Sequence, residues 1–336
     1  MMRIAINGFG RIGKTFLRTI LLDKQALKKI TVAALNIGPS DKNLVGHLFK
    51  YDTLMGIYPG TVLFKNDFLI IDGYEIPILT EKDPEQLPWQ KLAIDWVVDC
   101  SGKFTKREGA EKHVKAGAQK VLISAPAHGD DVTIIPGVND EKFDNNNHTI
   151  VSLGSCTTNA LLPTLKVLYD NLGLQKGFMT TVHAYTNSQA LLDVALDNDP
   201  RRARAAALNI VPTSSGATSS VAKIIPELAD KINGCALRVP VGKVSIVDLS
   251  FESNKNLTVD EIHAAFNKAA QTTLQGILAI TDEPLVSSDF SGNSHSVIID
   301  ATMTQTVGSM GKVFGWYDNE WGYSQRLKDF LMARCK

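Results

Sequence analysis

The spacing of apolar residues in the first 155 positions alternates between strands and helices. Short, β-branched apolar runs predict strands at 3–7, 30–35, 96–98, 121–123 and 149–151. Residues 14–23 and 106–116 instead place their apolar side chains on one side at helical spacing. Strands that are almost continuously apolar are typical of a parallel sheet covered on both faces. This part of the chain is therefore predicted to form a doubly wound α/β sheet.

The pattern changes after position 156. Residues 159–172, 216–231 and 259–271 have helical spacing, whereas 177–183, 237–251 and 296–306 predict strands. We expect these strands to form a mostly antiparallel sheet in an α+β domain. A long polar segment occupies 184–209. A chain of 336 residues exceeds one ordinary core, so we predict two domains, 1–155 joined by a C-terminal helix at 320–336, and 156–319.

Composition and charge exclude several classes of protein. Lys+Arg and Asp+Glu both number 35, and a formal net charge of zero disfavours a protein built to bind nucleic acid or an anionic membrane. The sequence has no signal-peptide pattern and no uncharged apolar run of about 18 residues. The four cysteines are scattered without a CxxC pair, which disfavours a disulfide framework or a metal site. We therefore expect a cytoplasmic protein.

A glycine-rich loop follows the first predicted strand. The run Asn7-Gly8-Phe9-Gly10-Arg11-Ile12-Gly13 has the spacing G-x-G-x-x-G and opens a helix. In a Rossmann domain, Gly8 would permit the tight turn, Gly10 would let the backbone approach a pyrophosphate, and Gly13 would let helix and strand pack closely. Backbone N–H groups at the helix start would then bind the anion. The loop predicts that the first domain binds NAD or NADP.

The second predicted strand lacks the acidic residue that usually binds the adenosine ribose of NAD. It ends in Leu35-Asn36-Ile37-Gly38-Pro39-Ser40, and the first acid is Asp41. A carboxylate there would accept hydrogen bonds from the ribose hydroxyls and would repel a 2′-phosphate. Asn36 and Ser40 are alternative partners for a ribose hydroxyl. We therefore predict NAD as the cofactor and leave NADP open because of Ile37.

Cys156 is the candidate nucleophile. It stands in Ser155-Cys156-Thr157-Thr158-Asn159, between a strand and a helix, where the helix dipole is expected to lower the pKa of the thiol. His183 ends another strand, and a nearby imidazole would stabilise a thiolate and transfer a proton. From these residues alone, a buried structural cysteine with an unrelated histidine is an open alternative.

Three groups of residues are candidates for anion binding. The run Pro200-Arg201-Arg202-Ala203-Arg204 is a dense basic cluster, for which a solvated face is the simpler interpretation. Arg238 stands in an apolar strand, where an unpaired cation would be expensive and a phosphate would be a suitable partner. Thr213-Ser214-Ser215-Gly216 offers hydroxyls and backbone amides at a helix start, a second candidate anion site.

Taken together, these motifs resemble the phosphorylating glyceraldehyde-3-phosphate dehydrogenase family over essentially the whole chain. The matching blocks are 6–13, 155–159, His183-Ala184-Tyr185-Thr186, 201–207 and Trp316-Tyr317-Asp318-Asn319-Glu320-Trp321-Gly322-Tyr323. The resemblance implies oxidation of D-glyceraldehyde 3-phosphate to 1,3-bisphosphoglycerate through a thiohemiacetal and a thioester on Cys156, with hydride transfer to NAD(P). It also implies that the first domain binds NAD(P), that the second is catalytic, and that the protein is a homotetramer.

The resemblance also assigns roles to individual residues. Cys156 and His183 would be catalytic. The residues that would bind the cofactor are Gly8, Gly10, Arg11, Ile12, Gly13, Lys82, Ser124 and Asn319, of which Asn319 would bond the nicotinamide carboxamide. The residues that would bind the substrate phosphate or the attacking inorganic phosphate are Ser155, Thr157, Thr186, Arg202, Ser215, Gly216 and Arg238.

The chain departs from the family pattern at several positions. Ile37 replaces the usual acid, and Ala195 stands where NAD-specific relatives often have proline, which together favour tolerance of NADP. Lys82 replaces a more usual arginine, which counts against tolerance of NADP. The segment Val241-Gly242-Lys243 replaces a segment of the Thr-Pro-Asn type, and the sequence alone does not show what this change does.

Two other functions stay open at this point. Erythrose-4-phosphate dehydrogenase is a close relative that favours water over phosphate in the last step. The second alternative is a non-catalytic binding or scaffold protein with the same fold, because fold alone does not prove activity. No basic stripe with interleaved aromatic residues supports binding to nucleic acid.

Overall fold

The computed structural model describes residues 1–195 and 199–335, and these residues form two compact units. The first unit contains residues 1–134, 140–154 and the chain from Ser324 onward, and the second contains 135–139 and 155–323. The helices are α1 (Arg11–Leu21), α2 (Lys24–Lys29), α3 (Val45–Lys50), α4 (Arg107–Lys115), α5 (Cys156–Leu172), α6 (Ala217–Ile224), α7 (Val259–Gln271) and α8 (Trp321–Met332). No helix in the described part of the chain is both long enough and apolar enough to cross a lipid bilayer.

The first unit is built on a nine-stranded sheet in the order β10-β11-β9-β8-β1-β2-β7-β6-β5. Its strands, with a separate hairpin of β3 and β4, are β1 (Met2–Asn7), β2 (Ile30–Asn36), β3 (Tyr51–Asp52), β4 (Gly56–Ile57), β5 (Val62–Lys65), β6 (Phe68–Ile71), β7 (Tyr74–Leu79), β8 (Trp96–Asp99), β9 (Lys120–Ile123), β10 (Val132–Thr133) and β11 (Ile150–Ser152). Neighbours from β10 to β7 run parallel, and β7, β6 and β5 are antiparallel. The predicted doubly wound sheet is confirmed, with an added antiparallel edge.

The C-terminal helix contributes to the core of the first unit. Phe330 packs edge-on against Trp96 at 5.6 Å and against Phe143 at 5.5 Å between ring centroids. Lys328 Nζ lies 2.7 Å from the carboxylate of Asp23, which caps α2. The last helix is therefore packed against elements from the beginning of the chain.

The second unit contains an eight-stranded sheet in the order β13-β14-β12-β15-β19-β17-β16, with β18 paired to β19. Its strands are β12 (Leu174–Ala184), β13 (Val211–Ser214), β14 (Ile232–Val239), β15 (Ser245–Ser253), β16 (Leu278–Thr281), β17 (Val297–Asp300), β18 (Gln305–Val307) and β19 (Met310–Tyr317). The pairs β12–β14 and β16–β17 are parallel and the others antiparallel. The predicted mostly antiparallel sheet is confirmed.

Several predicted boundaries in the second unit were wrong. The helix predicted at 216–231 ends at Ile224, because Pro226 begins a short 3-10 turn and β14 starts at Ile232. The run predicted as one strand at 237–251 belongs to two strands, which are separated by the turn from Pro240 to Val244. Residues 196–198, within the predicted polar segment, and residue 336 of the predicted C-terminal helix lie outside the described residues.

Candidate active site and nucleotide-binding pocket

The glycine loop of the first unit has the geometry that a pyrophosphate-binding turn requires. Gly8 has φ +92°, and a Cβ at this position would lie 2.5 Å from the backbone of Ser101. A Cβ on Gly13 would lie 2.2 Å from the carbonyl oxygen of Gly8. A Cβ on Gly10 would meet no described atom within 4 Å. Two glycines are thus required by the fold, whereas Gly10 leaves open the space through which a ligand can approach the backbone.

Helix α1 begins directly at this loop. Gly10 is its N-cap, and no described side chain caps the helix there. The first N–H groups of a helix lack partners within the helix and carry its positive dipole end. This helix start therefore fits a bound phosphate group.

A cavity of about 940 Å³ opens beside the loop. Gly8, Gly10 and Lys82, three of the predicted cofactor residues, line it, together with Ile37 and Ser40. Four lysines and three acids lie around its wall: Lys14, Lys82, Lys103, Lys112, Asp41, Glu81 and Asp83. Its size is that of a site for a small molecule or cofactor, so the first unit has room for a dinucleotide.

A buried hydrogen-bond network supports the floor of this cavity. The carboxylate of Asp99 accepts the side-chain amide of Asn7 at 2.7 Å and contacts His113 Nε2 at 3.2 Å. Trp89 Nε1 donates to His113 Nδ1 at 3.0 Å, which places the ring hydrogen on Nε2, toward Asp99. The side chain of Asn36 donates to Asn7 and to the carbonyl of residue 81, whose N–H it also accepts. The amide of Asn36 is therefore engaged within the protein, and the predicted bond to a ribose hydroxyl lacks support.

The lining of the cavity does not include the other predicted cofactor residues, Arg11, Ile12, Gly13, Ser124 and Asn319. Arg11 forms an ion pair with the buried carboxylate of Asp52. Ile12 follows it in α1, and Ser124 directly follows β9 with its N–H bonded to the carbonyl of Asp99. Asn319 belongs to the second unit.

Cys156 is the first residue of α5, in the second unit. Ser155 is the N-cap, and its side-chain oxygen accepts the N–H of Thr158 at 3.0 Å. Burial raises the pKa of the Cys156 thiol above its ordinary value, against the opposing effects of the Arg238 charge and of hydrogen bonding from Thr157. The expected lowering of the thiol pKa was therefore wrong in direction, because desolvation outweighs the helix start and the nearby cation.

His183 faces the thiol from β12. Its Nε2 lies 3.5 Å from Cys156 Sγ, within reach of a hydrogen bond to sulfur. Its Nδ1 lies 2.7 Å from the carbonyl oxygen of Ala184 and 2.6 Å from Arg238 Nη1. Burial and the positive charge of Arg238 lower the pKa of His183 to about 3, so the imidazole is neutral.

Arg238 lies beside His183 because β12 and β14 are parallel neighbours and the two residues are in register. Its Nη1 also donates to the carbonyl of Ala184 at 3.1 Å, and its contacts with described residues include no carboxylate. Burial, with some repulsion from Arg202, lowers its pKa from the ordinary value. A largely desolvated guanidinium without a carboxylate partner is suited to bind an anion.

Tyr317 joins the helix and the sheet beneath this site. Its hydroxyl lies 2.9 Å from Thr157 Oγ1 and 2.7 Å from Thr181 Oγ1. Its ring packs edge-on against His183 at 5.9 Å between centroids. Tyr317 is 1% exposed, and it fixes both the first turn of α5 and the imidazole ring.

The remaining predicted phosphate residues lie in loops and helix starts of the same unit. Arg202 bonds Thr213 Oγ1 through Nε and Nη2 at 3.1 and 2.9 Å and pairs with Asp199 at 3.0 Å. The hydroxyl of Thr186 contacts Ser188 at 3.0 Å. Gly216 is the N-cap of α6, and Ser215 Oγ accepts the N–H of the first residue of that helix.

Sequence reasoning missed the roles of several residues. Tyr317 stands in a block that carried the family resemblance, but its apolar strand gave no sign of the two threonine partners. Asp99 and His113 form part of the network beneath the nucleotide cavity. Asp99 could have been found from the sequence, because it is a polar residue at the end of an apolar strand.

Comparison with known proteins agrees with this architecture. Residues 2–107 match the family model described as the glyceraldehyde 3-phosphate dehydrogenase NAD binding domain. Residues 155–319 match the model of the C-terminal domain of the same enzymes.

Full-length relatives extend the match. The chain is 48% identical over 329 residues to the glyceraldehyde-3-phosphate dehydrogenase of Geobacillus stearothermophilus, covering 98% of this chain and 96% of that protein. It is 47% identical over 336 residues to glyceraldehyde-3-phosphate dehydrogenase 1 of Bacillus subtilis, covering 100% and 98%. It is 47% identical over 331 residues to glyceraldehyde-3-phosphate dehydrogenase 2 of Trichormus variabilis, covering 98% and 97%. The chain, with its NAD-binding domain and its C-terminal domain, belongs to the glyceraldehyde-3-phosphate dehydrogenase family.

Proposed function

We propose that this protein oxidises D-glyceraldehyde 3-phosphate with NAD(P) and inorganic phosphate to give 1,3-bisphosphoglycerate. One observation carries the proposal. A thiol lies 3.5 Å from a neutral imidazole, and that imidazole contacts a guanidinium without a carboxylate partner among the described residues. The thiol and imidazole are the groups that covalent capture of an aldehyde needs, and the guanidinium suits a phosphorylated substrate.

The reaction begins at Cys156. Its sulfur adds to the aldehyde carbon, the thiol proton passes to the carbonyl oxygen by way of His183 Nε2, and a thiohemiacetal forms. Because the pKa of the thiol is raised by burial, the cysteine rests mainly as a thiol and needs His183 as a base at the moment of attack.

His183 acts again when the thiohemiacetal is oxidised. Its Nε2 takes the hydroxyl proton while the substrate carbon loses its hydrogen with the bonding electron pair, leaving a thioester on Cys156. Bound NAD(P) supplies the acceptor for that hydrogen and electron pair. His183 can serve as the base only in the tautomer that carries its hydrogen on Nδ1, where the carbonyl of Ala184 accepts it at 2.7 Å.

The contact with Arg238 favours the other tautomer of His183. A guanidinium only donates hydrogen bonds, so its contact with Nδ1 places the ring hydrogen on Nε2. A substrate phosphate held by Arg238 and Thr186 would attract the guanidinium away from Nδ1 and release the base form of the ring. Substrate binding would thereby prepare His183 for proton transfer.

Phosphorolysis completes the reaction. An oxygen of inorganic phosphate attacks the thioester carbon, the C–S bond breaks, and the Cys156 sulfur leaves as thiolate and regains a proton. We assign the phosphate site to Ser155, Thr157, Ser215 and Gly216, with Arg202 between the two phosphate groups. The helix starts at Ser155 and Gly216 support this assignment, and the Coulomb repulsion between Arg202 and Arg238 indicates that two cations are near each other.

The residues that would hold the cofactor are Gly8, Gly10, Arg11, Ile12, Gly13, Lys82 and Ser124 in the first 155 residues, and Asn319 at the nicotinamide. We propose NAD as the cofactor and NADP as a tolerated alternative. Ile37 is 9% exposed in the cavity wall and brings no negative charge to repel a 2′-phosphate. Residues 1–155 with the C-terminal helix would form the cofactor-binding part, and 156–319 the catalytic part.

We also propose that the protein works as a cytoplasmic homotetramer, by analogy with the family. The segment from Ala184 to Asn209 carries apolar side chains that a neighbouring subunit would cover. Leu191 and Leu192 are 80% and 69% exposed, and Leu208 just before Asn209 is 79% exposed.

A steady-state assay with purified protein tests the function. NADH or NADPH formation would be followed with D-glyceraldehyde 3-phosphate, with and without inorganic phosphate, and the acyl phosphate would be trapped with hydroxylamine. We expect phosphate-dependent turnover that the variant Cys156→Ser lacks. A rate independent of phosphate, with the free acid as product, would refute the proposed reaction.

A further inference from the structure

The turn between β14 and β15 contains a buried lysine and a strained valine. Val244 has φ +69° and is 3% exposed, although β-branched residues strongly avoid this conformation. Such backbone persists only where surrounding contacts hold it, and it is concentrated at functional sites. The neighbouring Lys243 is 9% exposed. The turn includes Val241-Gly242-Lys243, the segment that departs from the family pattern.

Two contacts hold the turn against the segment that follows β19. Val244 N–H donates to Asn319 Oδ1 at 3.0 Å. Lys243 Nζ lies 3.2 Å from Asp318 Oδ2, with side chains 7% and 0% exposed. Adjacent residues of the turn therefore contact adjacent residues after the strand, one through a backbone bond and one through a buried ion pair.

Asp318 is fixed on every side. Its Oδ1 accepts the N–H groups of Glu320 and Trp321 at 3.0 and 2.9 Å, at the start of α8. Its Oδ2 accepts the N–H of Gly292 at 2.8 Å in addition to the lysine contact. A buried carboxylate with this set of donors defines the backbone that carries the next residue, Asn319.

The orientation of the Asn319 amide follows from its partners. The N–H of Val244 can only donate, so the atom it meets is the oxygen of the amide. The hydroxyl of Ser245 lies 3.4 Å from the same oxygen. The Nδ2 group points away from the turn and bonds to none of the described residues, so it is the donor that Asn319 offers to a ligand.

We infer that Lys243 is a positioning residue for the nicotinamide end of the cofactor. It neutralises Asp318 and holds the strained turn, and together these keep Asn319 Oδ1 engaged and Nδ2 directed to a carbonyl acceptor on the ligand. The inference rests on the proposed function, in which Asn319 binds the nicotinamide carboxamide. Removing one charge from a buried pair leaves the other unpaired and disturbs its surroundings.

Binding measurements test this positioning role. Isothermal titration calorimetry would compare NAD with ADP-ribose, which lacks the nicotinamide, for the wild type and for Lys243→Met. We expect the affinity for NAD to fall about tenfold and the affinity for ADP-ribose to change by less than twofold. The control is Lys255→Met, which removes an exposed ion pair to Glu261 in the same unit and should change neither affinity.

The double variant Lys243→Met/Asp318→Asn, compared with Asp318→Asn alone, tests the route through Asp318 and also serves if Lys243→Met does not fold. Asp318→Asn by itself places an amide group against the N–H of Gly292, so its own effect on NAD affinity is measured separately. Because the charge that Lys243 neutralises is absent from both variants, we expect Lys243→Met to cause less than a twofold further loss of NAD affinity in this background. Equal weakening of NAD and ADP-ribose by Lys243→Met, unchanged NAD binding, or a tenfold further loss in the Asp318→Asn background would overturn the inference alone. A wild type that binds ADP-ribose but shows no added affinity for NAD would instead refute the proposed role of Asn319.

Discussion

We predict that the charge of Arg238 increases the reactivity of Cys156, and the substitution Arg238→Leu measures how strongly. In the structure this charge is the largest influence that lowers the thiol pKa, although burial outweighs it. Removing the cation destabilises the thiolate, so the pKa of Cys156 must rise. At a fixed pH below that pKa, a smaller fraction of the cysteine is then thiolate, which is the reactive form.

The size of the effect follows from two contacts. Arg238 Nη1 lies 2.6 Å from His183 Nδ1, and His183 Nε2 lies 3.5 Å from Cys156 Sγ. Adding the width of the ring to these two contacts gives a separation of at most about 8 Å between the guanidinium nitrogen and the sulfur. At that distance and an effective dielectric constant of about 20, their attraction is about 2 kcal/mol. Because about 1.4 kcal/mol is a factor of ten, we expect the thiolate population at pH 7 to fall about 30-fold.

The assay is alkylation by iodoacetamide, followed by mass spectrometry of the peptide that contains Cys156. A neutral reagent is needed because the missing cation would also weaken the attraction of an anionic one. Lys176→Leu is the matched control, since Lys176 lies on the same strand as His183 but is 66% exposed and pairs with Glu252. Thermal denaturation confirms that each variant is folded.

An alkylation rate of Arg238→Leu within twofold of the wild type, with the control also unchanged, would refute this reasoning. It would mean that solvent screens Arg238 from the sulfur. A faster rate would mean that the repulsion of Arg238 on His183 dominates, because a more basic imidazole would then stabilise the thiolate.

Three further predictions concern the loop, the support of the site and the cofactor. Gly13→Ala should lower both the melting temperature and the affinity for NAD, because the added Cβ would lie 2.2 Å from the backbone of Gly8. Gly10→Ala should leave the melting temperature unchanged and weaken NAD binding at least tenfold, as measured by calorimetry, because its Cβ would enter only the space for the ligand. Tyr317→Phe removes the hydroxyl that contacts two buried threonine hydroxyls. It should lower the free energy of unfolding, measured in urea, by about 1–3 kcal/mol. A loss below about 0.5 kcal/mol would show that these hydrogen bonds do not stabilise the fold. Ile37→Asp should raise the ratio of kcat/KM for NAD over NADP at least tenfold, through repulsion of the 2′-phosphate, and an unchanged ratio would show that the ribose lies elsewhere.

The nucleotide loop could be predicted from sequence because its constraints are local. A Cβ on Gly13 would meet the carbonyl oxygen of Gly8 at 2.2 Å within the loop itself, and the strand before the loop and the helix after it have clear periodicities. The contact of Gly8 with the backbone of Ser101 at 2.5 Å is long-range, but the G-x-G-x-x-G spacing already marks this glycine. The same holds for Cys156 at the start of α5, where Ser155 supplies the cap. Short-range rules were sufficient for these elements.

Other features depend on residues that are distant in sequence. Asn36 appeared available to a ribose, but its amide is used by Asn7 and the backbone of residue 81, which the sheet order brings together. The pKa of Cys156 was predicted in the wrong direction because a helix start is visible in sequence whereas the burial of the thiol is not. Lys243 finds its carboxylate 75 residues away, and no periodicity indicates that pairing.

The position of α8 has a consequence for how the chain folds during synthesis. The first unit uses both ends of the polypeptide, since Phe330 covers Trp96 and Lys328 pairs with Asp23. A nascent chain therefore cannot complete the first unit until the residues from Ser324 onward, which follow the whole of the second unit, have been made. Until then Trp96 lacks its contact with Phe330, and the dinucleotide-binding unit, although its sheet is made first, is completed only after the second unit has been synthesised.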